Sequence, residues 1–124
     1  MRTAYIRATI TEMNVCFIMY PWEHITPQSD STLRMIHECV TRGHRVAITT
    51  SANLTIRDSL TMSFCRLFDD AVKPSKTIET FYKQAKFREQ MLPLAGFDVI
   101  FMRANPPLDA TVLNFLDSVK DEVL

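Results

Sequence analysis

Residues 14–20 read N-V-C-F-I-M-Y, an apolar run that is rich in β-branched and aromatic side chains and is closed by Pro21. A strand with one solvated face would alternate apolar and polar residues. A run that is apolar at nearly every position is typical of a parallel strand buried on both faces. We therefore predict a central parallel strand here, covered by helices on each side.

A capped helix and a second strand follow this run. Asp30 and Ser31 suit the N-cap of a helix, and apolar residues recur at helical spacing through residues 33–40. Gly43 stands where a helix C-terminus favours glycine. Residues 45–50, R-V-A-I-T-T, supply another strand. Strand, helix and strand form a βαβ unit, for which a right-handed crossover is expected.

The middle of the chain predicts a β-hairpin. Residues 54–56 and 60–68 are strand-like and are separated by Arg57, Asp58 and Ser59. The turn lacks the Asn-Gly or Asp-Gly pair that is most typical of a two-residue hairpin loop. We interpret the two segments as antiparallel neighbours.

Three more elements complete the predicted fold. Residues 76–92 have apolar side chains at helical spacing, so we predict a helix that Pro93 ends. Residues 97–102, F-D-V-I-F-M, predict another buried strand, and Asp109 caps a final helix. The fold class is α/β: a three-layer sandwich with a short parallel sheet and an inserted β-hairpin.

Composition argues against several function classes, although a local basic patch stays compatible with the balanced net charge. Fourteen basic residues balance fourteen acidic ones, whereas proteins that bind nucleic-acid backbones usually have a basic excess. The three cysteines are far apart, which favours buried thiols in a reducing compartment over disulfides or a zinc site. No apolar run approaches the roughly 20 residues of a membrane-spanning helix. We predict a cytoplasmic protein that contacts neither nucleic acid nor membrane.

Glycine usage argues against a nucleotide site in this chain. The sequence has only two glycines, Gly43 and Gly96, and they do not cluster. Phosphate-binding loops use clustered glycines so that backbone N–H groups can approach the anion. We therefore predict that the chain does not use ATP by itself.

Ligands of an open parallel sheet bind beyond the carboxyl ends of its strands. Residues 20–24, 49–51 and 103–107 occupy that edge in the predicted fold. The N-terminus of the first helix, around residues 29–32, opens on the same side, where free N–H groups suit an anion.

Arg103 is the strongest candidate at this edge. It directly follows a buried strand, so its guanidinium is placed to bind a carboxylate or phosphate through two N–H groups. The structural alternative is an ion pair with Asp98 or Asp109, or a cap on nearby carbonyl groups.

Other chemical signals have simpler explanations. Glu23 and His24 could form an acid–base or metal pair, but no second histidine stands at ligand spacing. Asp69 and Asp70 end a strand, where a turn explains them. No serine or cysteine nucleophile has a base at a recognisable spacing. Three aromatic side chains are assigned to the core and not to base stacking: Phe81, Tyr82 and Phe87.

Three segments resemble the front domain of bacterial glutathione synthetases. They are residues 15–22 (V-C-F-I-M-Y-P-W), residues 30–44 (D-S-T-L-R-M-I-H-E-C-V-T-R-G-H) and residues 92–109 (L-P-L-A-G-F-D-V-I-F-M-R-A-N-P-P-L-D). The third is the most specific, because L-P-L-A-x-x-D-V-I-x-M-R-x-x-P-P-x-D is a signature of that family. The resemblance covers nearly the whole chain from Met13 onward.

The resemblance implies a Rossmann-like pre-ATP-grasp domain of an ATP-grasp ligase. Such enzymes join γ-glutamylcysteine to glycine through an acyl phosphate, with ATP and magnesium held by later grasp domains. The front domain closes one side of the peptide site and contributes to subunit contacts, which implies a homo-oligomer. By this resemblance the chain carries no catalytic residue, cofactor or metal of its own. Its partner would be an ATP-grasp domain in cis or in trans.

The same resemblance, taken with the sheet edge, implies a set of side chains that bind a γ-glutamylcysteine-like peptide. The family often has aspartate where this chain has Tyr20, and lysine where it has Ser29, so the substrate stays open. The set is Tyr20, Trp22, Ser29, Asp30, Ser31, Arg103 and Asn105.

The domain limits follow from where the family begins. Met13 stands at the usual start, so residues 1–12 are interpreted as an untranslated or disordered extension and residues 13–124 as the domain. No grasp-domain element is present, which suggests a fragment or a separately encoded half of a ligase. The alternative is a stand-alone, non-catalytic binding or dimerisation module. A small enzyme using Glu23, His24 and Arg103 is a weaker third interpretation.

Overall fold

A computed structural model describes residues 12–69 and 73–103. Asn105, Asp109, the predicted final helix and nearly all of the predicted extension 1–12 lie outside these residues. Three short 3-10 turns also occur, at Trp22–His24, Ser51–Asn53 and Leu94–Gly96. The strands and helices are β1 (Asn14–Ile18), α1 (Ser31–Thr41), β2 (Arg45–Thr49), β3 (Leu54–Arg57), β4 (Leu60–Phe68), α2 (Ile78–Gln84), β5 (Phe87–Pro93) and β6 (Val99–Met102).

Strand β1 is the centre of a parallel unit, as predicted. It pairs in parallel with β2 on one side, with Cys16 opposite Ala47, and with β6 on the other, with Cys16 opposite Ile100. From Val15 to Ile18 every residue of β1 is buried. Because both faces are covered, only an uninterrupted apolar run can occupy this position.

The predicted βαβ unit is confirmed, with α1 as the crossover helix. The Asp30 carboxylate accepts a hydrogen bond of 2.7 Å from the Leu33 backbone N–H and so caps the helix. Leu33 and Ile36 are fully buried against the sheet. Gly43 has φ +90°, the left-handed conformation that ends a helix and that a residue with a Cβ rarely adopts.

The predicted hairpin is also confirmed, and its turn is tight. Arg57 lies opposite Leu60, which leaves Asp58 and Ser59 as a two-residue loop. Both loop residues have positive φ, 53° and 67°. This backbone geometry matches the right-handed twist of the strands, although neither residue is glycine.

One predicted helix is wrong over half of its length. Residues 76–92 do not form a single helix: α2 ends at Gln84, and residues Phe87–Pro93 form β5, antiparallel to β4. Arg88 and Glu89 occupy the positions where the apolar stripe of the helix would have continued. Because Phe87 can instead pair with Phe68 across the open edge of β4, tertiary pairing decides the conformation of this segment.

The result is a six-stranded mixed sheet within the described residues, in the order β3-β4-β2-β1-β6, with β5 on the far edge of β4. Both helices pack on the face that carries Val15, Phe17 and Ile48. The opposite face carries Cys16 and Cys65 and is packed by the Leu94–Gly96 turn. This is the predicted α/β sandwich with an open sheet. None of the described helices is long and apolar enough to cross a bilayer.

The cysteines behave as small core residues, as predicted for buried thiols. Cys16 and Cys65 are completely buried and Cys39 is half-buried, and all three are free thiols. A hydrogen bond to Cys65, together with burial, raises the pKa of the Cys16 thiol well above its usual value. Cys16 is therefore a protonated packing group and not a reactive thiolate.

The pairing register breaks between β2 and β3. Both strands run antiparallel to β4, with Ala47 opposite Leu67 and Leu54 opposite Ser63. The eight residues 47–54 therefore face the five residues 63–67 of β4, a surplus of three. The surplus is taken up by the turn Ser51–Asn53, which leaves the ladder and stands out at the sheet edge.

The hairpin turn gives a stability prediction. Ser59→Gly is expected to raise the free energy of unfolding by about 0.5–1 kcal/mol, because glycine adopts positive φ without a Cβ clash. Urea denaturation of the two proteins measures the difference. Ser59→Ala keeps the Cβ and is expected to give no gain. A loss of stability in Ser59→Gly would contradict the positive φ of this turn.

Candidate functional site

The carboxyl ends of the three parallel strands meet at one edge of the sheet, as the sequence predicted. Backbone hydrogen bonds continue past the end of β1: Met19 N–H donates to Thr49 O at 2.9 Å, and Arg103 N–H donates to Ile18 O at 2.7 Å. The segments that follow β1, β2 and β6 therefore lie side by side. This edge is where an open sheet of this type binds its ligands.

A cavity of about 320 Å³ opens at this edge. Its walls are the segment after β1, the turn between β2 and β3, and the facing residues of β4 and β5. The cavity lies beside the break in register, and Thr50 and Asn53 at the Ser51–Asn53 turn line it. The lining residues are Met19, Tyr20, Pro21, Trp22, Glu23, Ile48, Thr49, Thr50, Asn53, Phe64, Arg66 and Glu89.

Arg66 is the cationic group of this cavity. Its guanidinium binds the Glu23 carboxylate at 2.7 Å and lies 3.9 Å from the Glu89 carboxylate. It also sits over the Phe87 ring, 5.7 Å from the centroid. The hydrogen bond from Arg66 lowers the pKa of Glu23 below its usual 4.5. Glu23 is therefore an anion at neutral pH.

Trp22 anchors the segment after β1 against the sheet and α2. Its ring contacts Tyr82 at 4.8 Å, Phe87 at 5.3 Å and Phe68 at 5.5 Å between centroids. The Tyr82 hydroxyl donates a hydrogen bond of 2.7 Å to the Trp22 carbonyl. Trp22 is only 7% exposed, so it presents little more than an edge to the cavity. Phe81 is buried in the same cluster, in agreement with the predicted core role of these aromatic residues.

Two buried hydroxyl groups, those of Thr49 and Ser63, link the ends of β2 and β4 next to the cavity, and Thr49 also lines it. The Ser63 hydroxyl donates to Thr49 Oγ1 at 2.7 Å, and Thr49 Oγ1 lies 3.0 Å from the Phe64 carbonyl, to which it donates. Above this pair, the Asn53 amide donates to Thr50 Oγ1 at 3.2 Å. These bonds hold the ends of β2 and β4 together where the regular ladder has stopped.

Arg103 lies at the same edge but on the far side of β1 from Arg66. Its Nε donates to Thr32 Oγ1 at 3.2 Å, and a terminal nitrogen donates to Ser31 Oγ at 3.1 Å. Asp98 accepts a hydrogen bond from the Asn14 N–H at 2.8 Å, at the opposite end of β6. The alternative ion pair between Arg103 and Asp98 is therefore not formed, and Asp109 lies outside the described residues.

The remaining predicted site residues do not form one site in the structure. Asp30 is committed to capping α1, and exposed Ser29 donates its backbone N–H to Thr26 O at 3.1 Å. Tyr20 is exposed and lines the cavity. Asn105 is beyond the described part of the chain. Of the predicted site residues, Tyr20 and Trp22 thus line the cavity, whereas Ser31 and Arg103 are hydrogen-bonded to each other on the other side of β1.

The acid–base and metal pairs for which the sequence analysis preferred simpler explanations do not gather further ligands in the part of the chain that the structure describes. Glu23 is paired with Arg66. Among residues 12–69 and 73–103, no three His, Cys, Asp or Glu side chains converge as a metal site would require.

Residues 13–124 match the family described as prokaryotic glutathione synthetase, N-terminal domain. The chain belongs to this family.

Curated glutathione synthetases are similar to the chain. The glutathione synthetase of Nitrosomonas europaea is 29% identical over 97 residues, which are 78% of this chain and 29% of that protein. The glutathione synthetase of Neisseria meningitidis serogroup B is 28% identical over 101 residues, 82% of this chain and 31% of that protein. The chain thus spans less than a third of the length of these relatives.

Sequence reasoning missed the most prominent charged group of this glutathione synthetase-family domain, Arg66. A signal was present, because β4 alternates buried Thr61, Ser63 and Cys65 with more exposed residues between them. Arg66 is one of the intervening residues, so its side chain lies on the face of β4 opposite Ser63 and Cys65. What the sequence could not give was the proximity of Glu23, which is 43 positions away in the chain.

The Glu23–Arg66 pair gives a pH prediction. A carboxylate whose folded-state pKa is depressed contributes stability above its unfolded pKa, and that contribution is lost as pH falls through the folded pKa. Both side chains are partly exposed, so the contribution at pH 7 is below about 1 kcal/mol. Glu23→Gln is therefore expected to be slightly less stable than the unmodified chain at pH 7 and equally stable near pH 3, as measured by urea denaturation. Glu79→Gln, an exposed carboxylate without an ion pair to arginine or lysine among the described residues, is the matched control. An equal difference at both pH values would contradict the ion pair.

Proposed function

We propose that the chain is the substrate-side N-terminal domain of a glutathione synthetase-like ligase. In this proposal the complete enzyme joins γ-glutamylcysteine to glycine through an acyl phosphate. ATP and magnesium bind to an ATP-grasp domain, in cis or in trans, and the present domain is inactive alone. The observation that carries the proposal is the match of residues 13–124 to the N-terminal domain of that family.

The described residues do not fit a nucleotide with its magnesium ion. The two glycines of the sequence stand apart: Gly43 ends α1, and Gly96 closes the turn after β5. Neither lies in a loop that could surround a phosphate chain with backbone N–H groups. Carboxylates that could hold magnesium do not converge in residues 12–69 and 73–103. These features support assigning ATP to another domain.

The proposed role of this domain is to bind and orient the peptide. Arg103 uses two of its N–H groups on the hydroxyls of Ser31 and Thr32, which fixes the plane of its guanidinium. Within residues 12–69 and 73–103 its other N–H groups have no side-chain hydrogen-bond partner, and in this proposal they bind a peptide carboxylate. Tyr20 follows β1, is exposed and lines the cavity. Since Tyr20 and Ser29 differ from residues common in the family, a variant peptide substrate is compatible with the site.

A stand-alone interaction module is the second candidate function, and one observation favours it. Phe64 and Met91 are directly opposite each other on β4 and β5, and each is 40% exposed. Leu60, on the same face of β4, is also exposed. An apolar patch of this kind is typical of a surface that contacts another protein, including a second copy of the chain.

We also propose a cytoplasmic location. The described cysteines are free thiols, two of them completely buried, which suits a reducing compartment. ATP-dependent ligation also requires a compartment that contains ATP.

A chimera tests the proposed function. Residues 13–124 replace the matching N-terminal segment of the Nitrosomonas europaea glutathione synthetase, and glutathione formation is measured with ATP, γ-glutamylcysteine and glycine. The chimera is expected to form glutathione, because the segment would restore the substrate side of the site. The present chain alone is expected to release no phosphate and to bind no ATP by calorimetry.

Two controls make that result decisive. The Nitrosomonas europaea protein without its N-terminal segment should be inactive, and the unmodified enzyme should be active. A chimera that folds, as judged by circular dichroism, but forms no glutathione would favour the interaction module. Micromolar ATP binding by the present chain would contradict the assignment of ATP to another domain.

Arg103→Ala in the chimera tests the peptide-binding role. It is expected to weaken γ-glutamylcysteine binding about tenfold or more, because a charged hydrogen bond to a carboxylate is lost. The free energy of unfolding should change by less than about 1 kcal/mol, since only two hydroxyl contacts near the surface are lost. Arg45→Ala, an exposed arginine at the opposite end of the sheet, is the matched control. A large stability loss with unchanged peptide affinity would make Arg103 a purely structural residue.

A further inference from the structure

The cavity beside β1 carries one positive and two negative side chains. Arg66 and Glu89 are directly opposite on β4 and β5, and Glu23 reaches the same guanidinium from the segment after β1. The three groups come from three separate parts of the chain. The two carboxylates outnumber the single guanidinium, so these three side chains carry a net charge of −1.

The positive group lies deeper than the negative ones. The Arg66 side chain is 36% exposed, whereas those of Glu23 and Glu89 are 61% and 57% exposed. Phe87 lies beneath the guanidinium and holds it in position. A ligand entering this cavity therefore meets carboxylates at the rim and a cation further in.

Arg66 and Glu89 can each form a further hydrogen bond with a ligand. Glu23 takes one of the five N–H groups of Arg66, so the guanidinium can still donate to a second acceptor. The distance of 3.9 Å between Arg66 Nε and Glu89 Oε2 is too long for a hydrogen bond. Glu89 can therefore accept from a ligand while remaining close to the cation.

This arrangement discriminates between ligand classes. A phosphate or a dicarboxylate would be attracted by Arg66 but repelled by two nearby carboxylates. A simple cation would be attracted by the carboxylates but repelled by Arg66. A ligand with a carboxylate and an ammonium on the same carbon satisfies both, because each of its charges meets an opposite charge.

The size and the remaining walls fit a small molecule. About 320 Å³ is near the lower end for small-molecule sites. Tyr20, Pro21 and Phe64 supply apolar surface, and Thr50 and Asn53 supply polar groups on the opposite wall. These walls suit a short aliphatic stem that carries an amide.

We infer that this cavity binds the α-amino-acid head of a small ligand, whose carboxylate accepts from Arg66 and whose ammonium donates to Glu89. The inference rests on the proposed function and deepens it, because γ-glutamylcysteine has such a head at its γ-glutamyl end. With the head held beside Arg66, the cysteinyl end extends out of the cavity. Arg66 and Glu89 are then substrate-specificity residues.

Titration of the full chain with four probes tests this inference. L-glutamate and γ-glutamylcysteine carry the complete head, glutarate lacks the ammonium, and 4-aminobutyrate lacks the α-carboxylate. Binding is followed by backbone amide chemical shifts in ¹⁵N-labelled protein, at millimolar ligand. The two complete ligands are expected to shift Thr50, Asn53 and Arg66, and to bind about tenfold or more tightly than either truncated probe.

Two variants assign the contacts. Arg66→Gln is expected to weaken L-glutamate binding about tenfold or more. Glu89→Gln removes the negative charge that faces the ammonium, so it should weaken L-glutamate binding and strengthen glutarate binding. Arg88→Gln is the matched control: Arg88 lies in the same ladder, opposite Leu67, with its side chain on the other face of the sheet. Melting curves establish that each variant is folded.

The outcomes separate this inference from the proposed function. Equal binding of glutarate and L-glutamate, unchanged binding in Arg66→Gln, or no shifts with any probe would overturn the inference. If Arg66→Gln fails to fold, the change of preference in Glu89→Gln still decides. L-glutamate binding together with an inactive chimera would leave the cavity assignment standing and reject the ligase.

Discussion

The packing of Trp22 is the contact on which the carboxyl edge of the sheet depends. Its ring joins three elements that are far apart in the sequence, through Phe68 of β4, Tyr82 of α2 and Phe87 of β5. Large aromatic side chains bury much area and prefer edge-on contacts, so such a cluster has few alternative arrangements. It fixes the segment after β1, and that segment supplies Glu23 to the neighbouring cavity.

The cavity lies where the pairing register along β4 breaks between β2 and β3. Strand β4 pairs with β2 and then with β3 along one edge, and three surplus residues leave the ladder at the Ser51–Asn53 turn. Buried hydroxyls of Thr49 and Ser63 replace the lost ladder bonds. Since buried polar groups must be paired, this substitution allows the sheet to open without unsatisfied groups.

Membership of the glutathione synthetase family and the geometry of the edge address different questions. The family match supplies a domain type, whereas the edge presents two cationic positions. Arg103 is held by the N-terminus of α1, and Arg66 is held by Phe87 and Glu23. A peptide with a carboxylate at each end would need two such positions. These two positions are the basis of the peptide-binding role that we propose for the domain.

The sequence by itself determined the elements whose signals are local. The apolar run of β1, the Asp30 cap and the hairpin turn each follow from side chains within a few positions, and Arg103 was placed at the edge because it follows a buried strand. Tertiary structure alone decided that Phe87–Pro93 is a strand, because an edge of β4 was free to pair with it. It also decided the cavity, because Glu23, Arg66 and Glu89 meet only after three distant segments have paired. No local pattern encodes that proximity.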